Sequence, residues 1–298
     1  MKLDRKKCAC LVASVLALSC TFIVPKMSAK ADEPLPAEGV AAVSETEIRY
    51  TGPGATNRYD DNAATFASDI SSEKIYYTDR QYTYYTTTNG VPLYTPSGAL
   101  TNSCGATGGA VIVGFYDKYY ENLIPNYTSY YTATGKYKNS SSNTYVSTLM
   151  SDLYTLMRTN VDDVGVSESD CREGLETYVT NKGYSLSYTS IKNGSGLNMT
   201  ACQNAFRNNK PILLFCDQVG VVFVGEATGY DNITTMAVAN QHIMVAYGYY
   251  QVRYYNGSTN FRTDTYFDVA TGLDGSPTGW VTVDSINWLD NGYIVSIS

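Results

Sequence analysis

Cys104 and His242 are the two residues whose types offer covalent chemistry in this sequence. His242 is the single histidine among 298 residues, so any mechanism that needs an imidazole must use it. A thiolate is a competent nucleophile, and a histidine beside it can take its proton and later protonate a leaving amine. If the folded chain brings the two residues together, they predict acyl transfer at Cys104.

The segment around Cys104 predicts how its thiol is positioned. Residues 104–117, C-G-A-T-G-G-A-V-I-V-G-F-Y-D, are apolar on every side, which is typical of a helix buried at the centre of a domain. Asn102 and Ser103 precede this helix and are candidate caps. Cys104 then stands at the helix N-terminus, where unpaired N–H groups favour a thiolate.

A third group must orient the imidazole, and Asp268 is the candidate. His242 heads a predicted strand, and Asp268 lies on the strand that returns after the turn signal Asn256-Gly257, so the two strands are expected to form a hairpin. A two-residue turn at that signal places Thr271 opposite His242. The role of Asp268 therefore requires a bulge or a wider loop.

The remaining pattern predicts helices first and strands afterwards. A second helix has one apolar face, formed by Val146, Leu149, Met150, Leu153, Leu156 and Met157. A third helix is predicted over about 168–182, and a short fourth begins at Thr200, whose spacing to Gln203 fits a capping box. Beyond Pro211, β-branched and aromatic runs predict strands at Ile212 to Cys216, Val219 to Ala227, Ile243 to Tyr250, Thr265 to Ala270, Trp280 to Val283 and Tyr293 to Ile297. This order indicates an α+β fold, with a helical half around the buried central helix and an antiparallel sheet half.

The N-terminal sequence predicts export. Basic residues within 1–7 precede an apolar run from Cys8 to Val24, and Ala29-Lys30-Ala31 fits a signal-peptidase site. We therefore expect a signal peptide over 1–31 and a secreted, extracellular protein with no membrane segment after its removal. A linker over 32–48 and a Tyr/Thr-rich region over 49–89 follow, and the latter is either extra strands of the next domain or a pro-segment.

Charge and cysteine usage exclude other classes of protein. Removal of 1–31 takes away six of the 21 basic residues and one of the 28 acidic residues, which leaves 15 against 27 and a net charge near −12. Nucleic acid is not an expected partner, because phosphate binding needs clustered cations. The four remaining cysteines are too sparse for a disulfide scaffold and, with one histidine, do not fit a zinc site. Disulfide pairing among Cys171, Cys202 and Cys216 stays open.

Several short motifs occur in an order that carries a family resemblance. They are G-V-P-L-Y at 90–94, N-S-C-G-A-T at 102–107, G-F-Y-D at 114–117, N-L-I-P at 122–125, K-P-I-L-L at 210–214 and H-I-M-V-A-Y-G-Y at 242–249. Together they resemble bacterial papain-like cysteine peptidases, in particular the bacteriocin-leader-processing type, family 39 of the cysteine class. The similarity covers roughly residues 90–298, and the order of the motifs is its specific part.

The resemblance implies a papain-like cysteine peptidase domain over 90–298 with three catalytic residues. Cys104 is then the nucleophile, His242 the general base and acid, and Asp268 the orienting carboxylate. The chain departs from the family in the interval from His242 to Asp268, which at 26 residues is longer than usual. The longer interval leaves Asp264 and Asn260 as competitors for the orienting role.

A second departure from the family concerns the oxyanion. These enzymes usually carry a glutamine about six residues before the nucleophile, and here that position is Gly98. Asn102 is a substitute by residue type, beside the backbone N–H of Cys104. Loss of such a donor typically costs ~100-fold or more in rate.

The function expected from these residues is that of a secreted cysteine peptidase acting on a peptide or protein substrate, with neither metal nor organic cofactor. One alternative is a secreted binding protein on an inactive peptidase fold, which the missing glutamine and the Tyr-rich stretches at 76–85, 127–137 and 247–255 favour. Another is an amidase or acyl transferase of the same architecture acting on cell-wall peptide.

Overall fold

The computed structural model describes residues 58–59, 66–97, 100–161, 165–238 and 241–298. The predicted signal peptide over 1–31, the linker over 32–48 and Gly98 lie outside these residues. Among the described residues, no helix has the length and apolar character needed to cross a membrane.

The described residues form four helices and sixteen strands, and the four predicted helices are all present, but nine of the strands precede the fourth helix rather than following it. The helices are α1 (Cys104–Asp117), α2 (Thr144–Leu156), α3 (Glu168–Asn181) and α4 (Met199–Arg207). The strands that precede α4 are β1 (Arg58–Tyr59), β2 (Phe66–Tyr76), β3 (Asp79–Thr86), β4 (Tyr130–Tyr131), β5 (Lys136–Tyr137), β6 (Val166–Ser167), β7 (Leu186–Ser190), β8 (Lys192–Asn193) and β9 (Gly196–Leu197). The later strands are β10 (Ile212–Cys216), β11 (Gly220–Ala227), β12 (Tyr230–Val238), β13 (His242–Asn256), β14 (Thr259–Ala270), β15 (Thr278–Thr282) and β16 (Leu289–Ile297).

The N-termini of the helices are set by two features, burial of the first residues in α1 and side-chain caps in α3 and α4. Every residue of α1 is buried, and its N-cap Ser103 makes no side-chain cap hydrogen bond, so packing rather than capping holds this helix. Ser167 caps α3 by accepting from the N–H of Asp170. The capping box predicted at Thr200 is wrong: the cap of α4 is Asn198, two residues earlier in the chain, and its side chain accepts from the N–H of Ala201.

Ten strands form one antiparallel sheet, in the order β2-β12-β11-β15-β14-β13-β10-β16-β7, with β3 paired to the outer part of β13. The α+β class predicted from the sequence is confirmed. The predicted hairpin is also present, because β13 and β14 pair along their length. Strands β7 and β12 were not predicted, and the polar run of β12 forms a strand because β2 and β11 pair with its two edges. Strands β2 and β3, which lie within the region 49–89, are thus strands of the main sheet.

Helices cover both faces of the central strands. Ile243 and Val245 of β13 pack with α1, α2 and α3 in one apolar cluster, whereas Met244 and Ala246 pack with α4 in a second cluster. This division follows from the alternation of side chains along a strand. The first residue of β13 is His242. The strand that packs against α1 therefore begins at the single histidine.

Candidate active site

Cys104 is the first residue of α1 and is only 1% exposed. The first turn of α1 lies very close to β13, because two of its residues have no side chain. A Cβ atom at Gly105 would stand 2.7 Å from Val166 Cγ1 and 3.6 Å from Ile243 Cδ1. A Cβ atom at Gly108 would stand 3.1 Å from Ile243 Cγ2. The helix start is therefore packed directly on the residue that follows His242.

His242 is completely buried and its ring has one hydrogen bond. Its exposed fraction is 0%, and its Nε2 lies 2.6 Å from the carbonyl oxygen of Thr271. Nδ1 is buried and has no hydrogen-bond partner among the described residues. Burial lowers the pKa of His242 to about 4, and the hydrogen bond to Thr271 opposes this effect. The imidazole is therefore neutral at pH 7.

A short chain of contacts connects the two residues. Thr107 lies one turn after Cys104 in α1, and a Cβ atom at Gly272 would stand 3.3 Å from Thr107 Cγ2. Gly272 directly follows Thr271, whose carbonyl holds the His242 ring. The first turn of α1 thus contacts both the neighbour of His242 and the segment that holds its ring. The imidazole is not hydrogen-bonded to the Cys104 sulfur in this structure, since Nδ1 has no partner.

Asp268 does not lie beside His242. Asp268 pairs with Gly248 of β13 on one side and with Trp280 on the other. Gly248 is six residues after His242 in β13, so at ~3.3 Å per residue Asp268 lies about 20 Å from His242 along the strand. Burial raises the pKa of Asp268 to about 6, and a hydrogen bond with Trp280 opposes this rise. The prediction that Asp268 lies next to His242 is therefore wrong. The hairpin turn falls at Gly257 and Ser258, and the two register shifts between β13 and β14 do not bring the Asp268 carboxylate to the beginning of β13.

The competing side chains are no nearer to the imidazole. Asp264 pairs with Val252 and accepts hydrogen bonds from Arg262 Nε and the Tyr266 hydroxyl. Asn260 pairs with Tyr255, at the turn end of the hairpin. These two lie even further from the beginning of β13 than Asp268 does.

Asn102 has a structural contact of its own. It is buried with a φ of +56°, in the left-handed region, and its Nδ2 donates to Asn160 Oδ1 at 2.6 Å. Asn160 in turn donates to the Thr101 carbonyl and to the Tyr154 hydroxyl. Asn102 therefore ties the loop before α1 to the end of α2. Its part as an oxyanion donor stays a prediction that this contact does not favour.

The other cysteines have environments that suppress their chemistry. Cys171, Cys202 and Cys216 are buried, and none of the four described cysteines is in a disulfide. Burial raises the pKa of Cys171 and of Cys202 to about 12 and raises that of Cys216 well above its usual value. A thiol that stays protonated is a poor nucleophile, so burial makes these three cysteines weaker candidates for the nucleophile.

Thr271 is the contact residue that no functional motif predicted. Its main-chain carbonyl, not a carboxylate, meets the imidazole. A count from a two-residue turn at Asn256-Gly257 also leads to Thr271, but the observed turn lies at Gly257 and Ser258 and pairs Ala270 with Val245, so no sequence signal identified this contact. Within the described residues, no group of three or more histidine, cysteine, aspartate or glutamate side chains could hold a metal ion.

Comparisons with protein-family models, with curated proteins and with solved structures give no match to this chain.

Proposed function

We propose that this chain is a secreted cysteine peptidase with a papain-like fold, in which Cys104 is the nucleophile and His242 its base. The observation that supports this most strongly is the state of the only histidine. Its Nε2 is held by a carbonyl, and its buried Nδ1 has no partner among the described residues, beside the helix that begins with Cys104. An unpaired buried polar atom costs ~1–3 kcal/mol, and the Cys104 thiol is the nucleophile that can supply its missing partner.

The reaction proposed for this pair is acyl transfer to the thiol. Nδ1 of His242 takes the proton of Cys104, and the thiolate attacks a peptide carbonyl to form a C–S bond. Backbone N–H groups at the start of α1 hold the tetrahedral oxyanion. The imidazolium gives its proton to the departing amine as the C–N bond breaks. Water, activated by His242, then hydrolyses the thioester and restores the thiol.

Substrate binding must open the site before this reaction can occur. Cys104 is 1% exposed and His242 is 0% exposed, so neither reaches solvent in this structure. Opening has to bring the sulfur within hydrogen-bond reach of Nδ1, which needs a shift of the α1 start against β13. Such tightening on binding is common for catalytic hydrogen bonds that are long in the free enzyme.

Alkylation by iodoacetamide near pH 6 tests the nucleophile. We expect an adduct on Cys104 much faster than on Cys171, Cys202 or Cys216, because the pKa of those three thiols is raised by burial. His242→Ala should abolish that preference, while the matched variant Cys171→Ala should leave it. Equal and slow labelling of all four cysteines would count against the proposal.

Peptide-library cleavage tests the reaction itself. The wild-type chain should produce new amino termini, and Cys104→Ser should reduce the rate by about 10³-fold or more. Addition of a primary amine separates hydrolysis from transfer, because an acyl transferase would give an amide product in place of a free acid. Absence of cleavage with fast Cys104 labelling would favour an amidase of narrow specificity.

A binding protein on an inactive fold is the second candidate, and the burial of both reactive residues favours it. Several large side chains remain exposed on the surface, namely Tyr76, Tyr84, Tyr119, Tyr131, Tyr145, Val161 and Phe261. Tyrosine is common in protein interfaces. Slow labelling of Cys104, together with no cleavage, would be the result that favours this reading.

Export is a separate part of the proposal. The basic start, the apolar run and the site at Ala29-Lys30-Ala31 support removal of residues 1–31. Amino-terminal sequencing of the protein from the culture medium should begin at Asp32. Recovery of the chain in the cell fraction with Met1 retained would contradict secretion.

A further inference from the structure

The loop that follows β14 is built around the contact with His242. Thr271 is completely buried, and its backbone N–H donates to the Pro277 carbonyl at 3.1 Å. Its hydroxyl donates to the Ser276 carbonyl and accepts from the N–H of Leu273. These bonds use the N–H and the hydroxyl of Thr271. Its carbonyl oxygen, the last polar atom, contacts the ring of His242.

This contact determines which ring nitrogen carries the hydrogen. A carbonyl oxygen can only accept, so at 2.6 Å the His242 Nε2 must be the donor. A neutral imidazole has one N–H, so Nδ1 carries the lone pair. An unprotonated Nδ1 is the form that a general base needs.

We infer that Thr271 is the positioning residue of His242 and fixes its Nε2–H tautomer, in the place that a carboxylate was expected to fill. The tautomer is a property of the fold, whereas its catalytic value rests on the proposed peptidase function. The carboxylates considered for this role lie elsewhere on the hairpin, with Asp268 opposite Gly248. The burial of His242 and its bond to Thr271 are the effects that set its pKa, with no carboxylate contributing.

The arrangement differs in its chemistry from a triad. A carbonyl dipole orients the ring as a carboxylate does, but it neutralises less of the charge on an imidazolium. The site is thus a Cys–His dyad aligned by the main chain. The side chain of Thr271 acts through that alignment, because its hydroxyl closes the loop from Thr271 to Ser276.

Nuclear magnetic resonance of the single histidine tests the tautomer without any assay of activity. In a long-range ¹H–¹⁵N spectrum at pH 7, we expect Nε2 to show the shift of a protonated nitrogen and Nδ1 that of an unprotonated one. Because the chain has one histidine, the two nitrogen signals need no assignment between residues. An Nδ1–H tautomer, or fast averaging of both forms, would overturn the inference.

Variants test whether Thr271 is the cause. Thr271→Val keeps the shape and removes both hydroxyl hydrogen bonds, so we expect a mixture of tautomers and a kcat lowered about tenfold or more with KM little changed. Thr271→Ser keeps the hydroxyl and should restore the wild-type spectrum and kcat. Asp268→Asn should leave the ¹⁵N shifts of His242 unchanged and should change kcat by less than twofold. A Thr271→Val protein with the wild-type spectrum, or an Asp268→Asn protein with a changed one, would contradict the assignment.

The spectra also separate this inference from the proposed function. If the Nε2–H tautomer is found and Thr271→Val disturbs it, the positioning role stands even when no peptide is cleaved. In that case the failure belongs to the peptidase proposal alone. If peptides are cleaved through Cys104 while the tautomer is Nδ1–H, the peptidase proposal stands and Thr271 loses its role. If Thr271→Val fails to fold, the wild-type spectrum and Thr271→Ser still decide.

Discussion

The two ends of α1 each lie beside a buried titratable group, and the two groups differ in how completely they are hydrogen-bonded. At the C-terminal end, Asp117 accepts from the N–H of Ile124 at 3.1 Å and from the N–H of Ser129 at 2.7 Å. Beside the N-terminal end, His242 uses Nε2 and leaves Nδ1 without a partner among the described residues. Both groups are under 5% exposed.

This difference separates a structural end of the helix from a reactive one. Asp117 holds the segment after α1 against the helix, because each of its two carboxylate oxygens accepts a hydrogen bond from a backbone N–H of that segment. His242 is equally buried, yet its Nδ1 is one of seven buried side-chain nitrogen or oxygen atoms among the described residues that have no hydrogen-bond partner, and it is the one that can act as a base at neutral pH. Unpaired buried groups with perturbed pKa values are concentrated where proteins do chemistry. The comparison predicts that changes at the Asp117 end act on stability and changes at the His242 end act on rate.

The largest expected effect is that of His242→Ala on peptide cleavage. Removal of the only imidazole should lower kcat/KM by about 10³-fold, because the thiol loses its base and the leaving amine its acid. Asp117→Asn is the matched control, and its activity per folded molecule should stay within about threefold of the wild type. Added imidazole should restore part of the His242→Ala rate. If both variants lost activity alike, the distinction between the two ends would be lost.

The next effect is that of Asp117→Ala on folding. This change leaves the N–H groups of Ile124 and Ser129 without their acceptor in a buried loop, so we expect a loss of about 3 kcal/mol in the free energy of unfolding. Asp117→Asn keeps one acceptor oxygen and should lose about half as much. Urea titration at pH 7 measures both values. A loss under about 0.5 kcal/mol for Asp117→Ala would show that the carboxylate does not hold this loop.

The pH dependence of stability should have opposite signs for the two groups. The pKa of His242 is lowered to about 4, so between pH 4 and 6.5 the unfolded chain binds a proton that the folded chain does not. The contribution of neutral His242 to the free energy of unfolding is therefore fully present above pH 6.5, and up to about 3 kcal/mol of it is lost as the pH falls to 4. Burial raises the pKa of Asp117 to about 6, so between pH 3.8 and 6 the folded chain binds the extra proton and gains stability as the pH falls.

Two variants separate these opposing effects. Relative to the wild type, His242→Gln should become more stable as the pH falls from 6.5 to 4, because no histidine has to lose its proton on folding. Asp117→Asn should become less stable over the same interval, because the favourable protonation is gone. Urea titrations at several pH values in this range give both curves. Parallel curves for the three proteins would mean that neither pKa is displaced by folding.

The sequence predicted the elements of this fold better than their contacts. The α1 boundaries, the strand β10 and the second half of β14 follow from runs of apolar and β-branched residues, which report burial directly. Strand β12 was not predicted, because Asp231, Asn232 and two threonines look like a loop until β2 and β11 pair with it. Pairing across the sheet is a long-range property that no local pattern contains.

The candidate site shows the same limit at the level of single residues. Cys104 and His242 could be singled out by type, since one begins a buried helix and the other is the only histidine. Asp268 could not be placed, because its position depends on where the hairpin turn and its two register shifts fall. Thr271 could not be recognised by type at all, because it acts through its main-chain carbonyl, which every residue has.

The smallest expected effect concerns how closely the start of α1 approaches β13. Gly105→Ala places a methyl group 2.7 Å from Val166 Cγ1, so α1 or Val166 has to move, and we expect a net loss of about 1–2 kcal/mol. Gly108→Ala meets Ile243 Cγ2 at 3.1 Å, and the gain of up to about 1 kcal/mol from replacing a helical glycine offsets most of that contact. Thermal unfolding of the two variants measures the difference. A Gly105→Ala protein as stable as Gly108→Ala would show that the helix start can separate from the strand at little cost, and such a gap is what access of a substrate to Cys104 and His242 requires.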